Sequence, residues 1–459
     1  MSTTKLNESA QPAQHAEAAV QAKQAGAGLK ESLAKLAKAG GFTFLESCVD
    51  GIANVNPERK ARKEIFLNDN DKSKEREDLL QTLNLWINVL SGGTDVSQMA
   101  EKCKTSAEAA EQSMKENLKH TLETTRALET AYRTVSQFYK NTESDKVKNV
   151  VLLNASLDQM KDLDNTYFMD HIAAELKQNY DRLDLRDNYS LLVIPGYLGA
   201  NKVVEKWAKV ANDNKVMLVT DFINLDKPDD VVEMFENANL TGGELHRSNV
   251  IMTCNYLVGR GREEEIGEEE DVFLPPSSSL AGKMHYTLMS QVTAGKKHGS
   301  MNEVDAVRFK LKKSEISHLE KIGLVPMVSE YGKVMAFSAK TLFNGDNIGL
   351  QTYSVVRVFD YVTKVLFDFL NRRAFENWSP KTEADLRSQI INYLDSIKGP
   401  GRLIEKFRID RFEQDEKDKD RIWLDIHLTP YFPAKSFVIK LDGHKGDDGN
   451  EWNSEYKQS

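Results

Sequence analysis

Residues 421–441 read RIWLDIHLTPYFPAKSFVIKL and contain two apolar/polar alternations of period two. In the first, Ile422, Leu424, Ile426 and Leu428 share one face, and Trp423, Asp425 and His427 share the other. In the second, Phe437, Ile439 and Leu441 face one way, and Val438 and Lys440 the other. Such alternation specifies half-buried β-strands. A charged run, 413–420, precedes the pair and a polar tail, 442–459, follows it; both read as flexible flanks. Two strands alone are marginal in water, so the pair needs a sheet to join, and another chain can provide one. The link 429–435, with Pro430 and Pro433, is too long for a two-residue hairpin and suits a fixed socket.

Upstream, four short apolar runs appear at 150–153, 191–194, 216–219 and 250–252, with helical stretches at 157–183, 202–211 and 229–237 between them. Strands that are apolar throughout, alternating with helices, predict a mainly parallel sheet covered on both faces. A further strand is expected at 307–311. Residues 324–328 and 334–337 flank Tyr331-Gly332 as a hairpin, and two helices, 353–370 and 386–397, follow before the stop signal Gly399-Pro400-Gly401.

Toward the N-terminus, residues 78–90 form an apolar helix ended by Ser91-Gly92-Gly93. Cys103, Ala107, Ala110, Met114, Leu118, Leu122, Thr125, Leu128, Tyr132, Val135 and Tyr139 then step by three or four, one stripe of a helix of roughly 40 residues. Small residues and the absence of a strict heptad favour packing of this stripe on the protein's own core over a coiled coil. The fold class is therefore mixed α/β: long helices, a mainly parallel central sheet and a C-terminal strand pair for β-augmentation between subunits. The expected divisions are a flexible arm (1–40), a helical region (41–145), an α/β core (146–300), its C-terminal α/β part (301–412), and the strand pair with its tail (413–459).

Composition narrows function. With 459 residues, 40% of them hydrophobic, the chain can build real cores, and its net charge of −9 disfavours nucleic acid or an anionic membrane as a partner. Three dispersed cysteines fit a reducing cytoplasm, and no apolar run approaches 18 residues, so neither export nor membrane insertion is expected. No GxxxxGK[ST], GxGxxG, GxSxG or HExxH pattern occurs. Gly259-Arg260-Gly261-Arg262 supplies glycine and charge but leads into the acidic run 262–271 rather than a helix. Pro195-Gly196, after an apolar strand, is where a doubly wound sheet could hold a ligand, yet no reactive group accompanies it. Catalytic residues, cofactors and metals are all expected to be absent, and a structural role is favoured over an α/β enzyme or small-ligand binder.

Four segments resemble TssC/VipB, the family of large contractile-sheath subunits of the type VI secretion system. LEKIGLVPMV (319–328) is similar to a Leu…Gly-Phe-Ile-Pro-Leu segment, and VMAFSAKTL (334–342) to Ala-Ala-Phe-Phe-Ser-Ala-Gln-Ser-Leu. RVFDYV (357–362) resembles Arg-Phe-Ala-His-Tyr-Leu, and LTPYF (428–432) resembles Leu-Arg-Pro-His-Phe. Gly323, Pro326, Phe337, Ser338, Arg357, Tyr361, Pro430 and Phe432 are the family-matched positions, expected in the core. Asp360 replaces the family's His, Thr363 a Lys, and Trp86-Ile87-Asn88 a Trp-Arg-Gly, so the chain reads as a divergent branch. The resemblance implies an obligate heterodimer with the small sheath subunit TssB, stacking with neighbouring protomers around an Hcp inner tube on a membrane-anchored baseplate. It also implies recycling by a ClpV-type AAA+ ATPase through TssB, no nucleic acid and a cytoplasmic location. A phage-like sheath made of one protein is the remaining alternative. In this reading Ile422, Trp423, Leu424, Ile426, Leu428, Phe437, Val438, Ile439 and Leu441 dock partner strands.

Overall fold

The computed structural model describes residues 65–91, 95–142, 147, 149–186, 188–435, 438–444 and 451–457. The chain divides into two compact units, 1–118 and 119–459. In the first, a short 3₁₀ turn (Asn70–Lys72), capped by the Asp69 side chain, leads into α1 (Ser73–Ser91). Buried Arg76 ties that start together by donating to the carbonyls of Phe66 and Asp69. The 45-residue α2 (Val96–Lys140) begins in this unit and ends in the second.

The second unit is built on a sheet. After α3 (Leu157–Lys161) and α4 (Tyr167–Tyr180) come β1 (Leu191–Tyr197), α5 (Asn201–Asp213), β2 (Met217–Asp221), α6 (Pro228–Ala238) and β3 (Val250–Cys254). An antiparallel ribbon of β4 (Leu257–Arg260) and β5 (Val272–Leu274) follows, then α7 (Ser277–Tyr286), α8 (Gly295–His298) and α9 (Lys313–Ile322). The hairpin β6 (Val325–Glu330) and β7 (Lys333–Ala336) completes a sheet of order β1-β2-β3-β6-β7, parallel except for β7.

Burial on both faces explains the unbroken apolar strands. All five residues of β2 are buried: Leu218 packs into one apolar cluster, Met217 and Val219 into another. The first cluster includes Val203, Val204, Trp207, Ala208 and Ala211 of α5 and Val231 and Phe235 of α6. Because β1, β2 and β3 advance in one direction, right-handed crossovers place both helices on the same face. The opposite face is covered by Leu280 and Met284 of α7, by Leu257 and Leu274 of the ribbon, and by Tyr353 and Val356 of α10 (Tyr353–Arg372).

A third cluster lies further on. Val358 and Val362 of α10 meet Leu386, Ile390 and Leu394 of α11 (Pro380–Ser396), which starts at Pro380 with the Ser379 hydroxyl accepting the Thr382 amide. Two C-terminal strands, β8 (Ile404–Gln414) and β9 (Ile422–Pro430), form an antiparallel sheet against it. Beyond them β10 (Val438–His444) pairs with β11 (Glu451–Lys457) over seven positions.

Several expectations are corrected. Residues 150–153 join no sheet and are exposed; being apolar does not make a strand without a partner. At 307–311 only Val307 makes a bridge, to Leu257. The stretch 157–183 is two helices, interrupted where Asp162 turns the chain by accepting the Asp164 and Asn165 amides. The strands at 422–430 and 438–444 do not pair with each other: each belongs to its own hairpin. The charged run is not a loose flank, since 413–414 end β8 and 415–421 form the turn into β9. The tail supplies β11.

Candidate assembly surfaces

The place where an α/β sheet would hold a ligand is filled. Asp221, at the carboxyl end of β2, is fully buried. Its carboxylate accepts the Gly196 amide (2.8 Å), the Ser277 amide (2.7 Å) and hydroxyl (2.6 Å), and the Thr253 hydroxyl. Burial pushes the carboxyl above its ordinary value, against those donors. One side chain thus ties β1, β3 and α7 to β2. Gly196, at φ 99°, approaches Leu157 so closely that a Cβ would sit 3.0 Å from a leucine methyl. The strand order does not reverse between β1 and β3, so this edge has no switch-point crevice. Gly259-Arg260-Gly261 is likewise engaged: Arg260 pairs with Glu129 (3.0 Å) and Glu268 (2.7 Å). No group of three metal-binding side chains occurs among the described residues.

The C-terminal half of α2 inverts the expected packing. Its charged face is the one held by the body of the second unit. Arg126 bonds Glu268 (2.9 Å) and the Asp271 carbonyl (2.6 Å), while Arg133 bonds Glu129 (2.8 Å) and the Gly259 carbonyl (3.2 Å). Gln137 donates to the Glu303 carbonyl (2.9 Å), and Asn141 accepts the Asn302 amide (2.7 Å). Glu268, clamped between two arginines, is held down to about 2, chiefly by its hydrogen bond to Arg260. Close backbone approach adds to this: at Gly282 of α7 a Cβ would lie 2.3 Å from the Phe138 carbonyl oxygen. The apolar stripe points outward, with Leu128 72% and Tyr132 73% exposed and Val135 also exposed. The expected own-core packing of this stripe is therefore reversed over its C-terminal part. Spacing revealed two faces but not which one the body would take. Arg126, Glu129 and Arg133, three and four apart, were the unread signal.

The hairpin β8–β9 has a closed face and an open one. Leu424, Ile426 and Leu428 are half-buried with Phe407 and Ile409 against the chain's own third cluster. On the other side Trp423 stays 38% exposed, fixed by Arg411 stacked 5.0 Å from its ring and by its indole nitrogen bonding Asp415 (2.7 Å). Asp415 also accepts the Lys417 and Asp418 amides, and the bonds from Asp418, then the Trp423 indole, then Lys417 hold its carboxyl down to about 2. Ile422 is exposed at the strand start. The link to β10 is anchored by Lys435 on Glu320 of α9, 2.7 Å apart. Phe437 lies outside the described residues; Val438, Ile439 and Leu441 lie in β10, with Ile439 exposed and opposite Tyr456. Among the described residues the outer edges of β9, β10 and β11 are unpaired, and that of β8 is unpaired beyond Ile404, which bridges Lys398.

The family-matched positions scatter between core and surface. Gly323 ends α9 at φ 107°, a conformation glycine adopts without strain. Pro326, Ser338 and Arg357 are buried and Pro430 half-buried, whereas Phe337, Tyr361 and Phe432 are exposed rather than in the core. Strand β8 was missed although Phe407 and Ile409 alternate with Arg408 and Asp410. Nothing local marks Asp221, because its donors come from 25 to 56 residues away.

Among solved structures, the chain is similar to the contracted helical sheath of the anti-feeding prophage, at 16% identity and a TM-score of 0.48, over 69% of this chain and 82% of that one. It is also similar to the contracted sheath complex of the extracellular contractile injection system PVC (15%, TM-score 0.44, 60% and 75%). A third is the anti-feeding prophage baseplate (17%, TM-score 0.40, 53% of this chain and 64% of that one). No curated protein sequence matches. Three family models match consecutive parts: the TssC/VipB-like N-terminal region over 29–118, the type VI secretion system TssC/VipB central domain over 120–344, and the TssC/VipB-like C-terminal domain over 352–458. With its sheet sealed at the carboxyl end and its α2 stripe and hairpin edges left open, this chain belongs to the TssC/VipB family of type VI secretion sheath subunits.

Proposed function

We propose that the chain is a structural, non-catalytic subunit that pairs with the small sheath subunit TssB and polymerises into a helical tube around Hcp, whose contraction drives effectors outward. The reading places assembly in the cytoplasm on a membrane-anchored baseplate, with a ClpV-type ATPase acting on the contracted sheath through TssB. The observation that carries it is the outward apolar stripe of α2, Leu128, Tyr132 and Val135, on a helix whose charged face is already spent on its own body. An exposed apolar stripe of this kind is a partner surface. The unpaired edges of β8–β9 and β10–β11 suit strand addition between protomers, which gives main-chain hydrogen bonds that survive a rigid-body change of ring angle. No described helix is long and apolar enough to cross a membrane.

The test is co-expression with the small subunit, followed by electron microscopy. Ending the chain after Lys435 removes β10–β11 and leaves the third apolar cluster intact, so heterodimers are expected to form without long tubes. Full-length tubes from that variant would sink the docking role of β10–β11. Tubes from this chain alone would point to a sheath of one protein.

A further inference from the structure

Against α10 lies a cavity of about 440 Å³, within the size range of small-ligand pockets. Arg357, Asp360 and Lys364 of α10 line it together with Lys215, Met217 and Met289. Arg357 is only 8% exposed. Its Nη2 reaches the Met284 carbonyl at 3.4 Å, and its Nη1 has no hydrogen-bond partner. Burial, opposed only by nearby Tyr353, pushes the guanidinium down to about 10; no carboxylate offsets it. Asp360, one turn on, is taken by the Asn249 amide at 2.8 Å, with Lys215 and Lys364 close by. Lys364 donates to the Tyr189 carbonyl at 2.7 Å. The remaining charges at the rim are paired, Arg186 with Asp184 and Asp368 with Arg372. Lys215 and Lys364 therefore share the one carboxylate, Asp360, and Arg357, the most buried cation of the cavity, has no counter-ion. A buried charge without a partner is costly to fold around, and an incoming anion relieves that cost.

We propose that this cavity receives a single carboxylate borne on an apolar shaft, with Arg357 as the group that binds it. The planar guanidinium fork matches a carboxylate, Met217 and Met289 offer an apolar wall, and Asp360 disfavours a dianion such as hydrogen phosphate. A glutamate side chain of another subunit and a small monocarboxylic acid present the same chemistry, and the experiment separates them.

Hexanoate is titrated into the full-length chain at constant ionic strength, with unfolding midpoint and heat of binding as readouts. A saturable rise is expected for hexanoate and a smaller one for phosphate. Arg357→Met should abolish it, and Lys215→Gln should weaken binding roughly tenfold, the loss of one charge-assisted contact. No saturable response in the wild type, or an equal response in Arg357→Met, overturns the proposal. Should Arg357→Met fail to fold, undiminished binding by Lys215→Gln overturns it instead. In the co-expressed assembly, saturating hexanoate blocks tube formation if a neighbouring subunit supplies the carboxylate, and leaves it intact if a small acid does. The titration stands apart from the proposed sheath role, so failure of one does not imply failure of the other.

Discussion

The central sheet and the C-terminal half of α2 solve the same problem in opposite ways. In the sheet, apolar side chains turn inward on both faces and one buried carboxylate, Asp221, ties three strands to α7. On α2, charge turns inward: Arg126, Glu129, Arg133 and Glu268 hold the helix to the body, and the apolar stripe faces out. A sealed apolar core is complete by itself. A helix anchored through ion pairs leaves its hydrophobic face exposed, and under the proposed function that face is what a partner chain covers.

The largest expected effect breaks the sealed side. Asp221→Asn keeps the size but turns an acceptor of four donors into an amide that must face some of them with N–H groups. Urea unfolding should show a loss of about 3 kcal/mol. A change below 1 kcal/mol would mean that the network is loose. Next, Gly282→Ala should cost roughly 1–3 kcal/mol, because the methyl meets the Phe138 backbone rather than a movable side chain; an unaffected midpoint would show that α2 is not seated against α7 as described.

Acid sharpens the comparison from the other side. Glu268 has its folded value depressed from 4.5 to about 2, so its contribution is fully present above the unfolded value and is lost as pH falls through about 2. Protection of α2 amides from exchange should hold through mild acid, and Glu268→Gln should lower it at neutral pH by about 1.5 kcal/mol. Equal protection in the variant would remove the ion-pair anchor from the account. The smallest effect on stability is expected at the open stripe. Tyr132→Ser should change the unfolding free energy by less than about 0.5 kcal/mol while reducing co-purification of the small subunit. A large loss of stability there would show that the stripe is already covered within the chain.

Legibility from sequence followed the length scale of the forces. Strands β1, β2, β3, β6 and β7 and the helices α5, α6, α10 and α11 could be read because burial on both faces or one stripe leaves a period in adjacent residues. The run 150–153 deceived because periodicity reports apolarity, not the presence of a partner strand. Strands 422–430 and 438–444 were identified, but their partners were not: Phe407 and Ile409 showed the same alternation, and pairing is decided by which strand packs on α10 and α11. The residues expected to dock partner strands divide for the same reason, Leu424, Ile426 and Leu428 packing on the chain itself and Trp423 left outward.

Sequence by itself determined the element types, the two-sided burial of the sheet and the existence of two faces on α2, since each is written in neighbouring residues. Tertiary structure alone decided which face of α2 is spent and which strand partners which. It also decided that Asp221 closes the end of the sheet and that Arg357 is left without a counter-ion. Those outcomes depend on groups tens to more than a hundred residues apart, brought together only when the chain has folded.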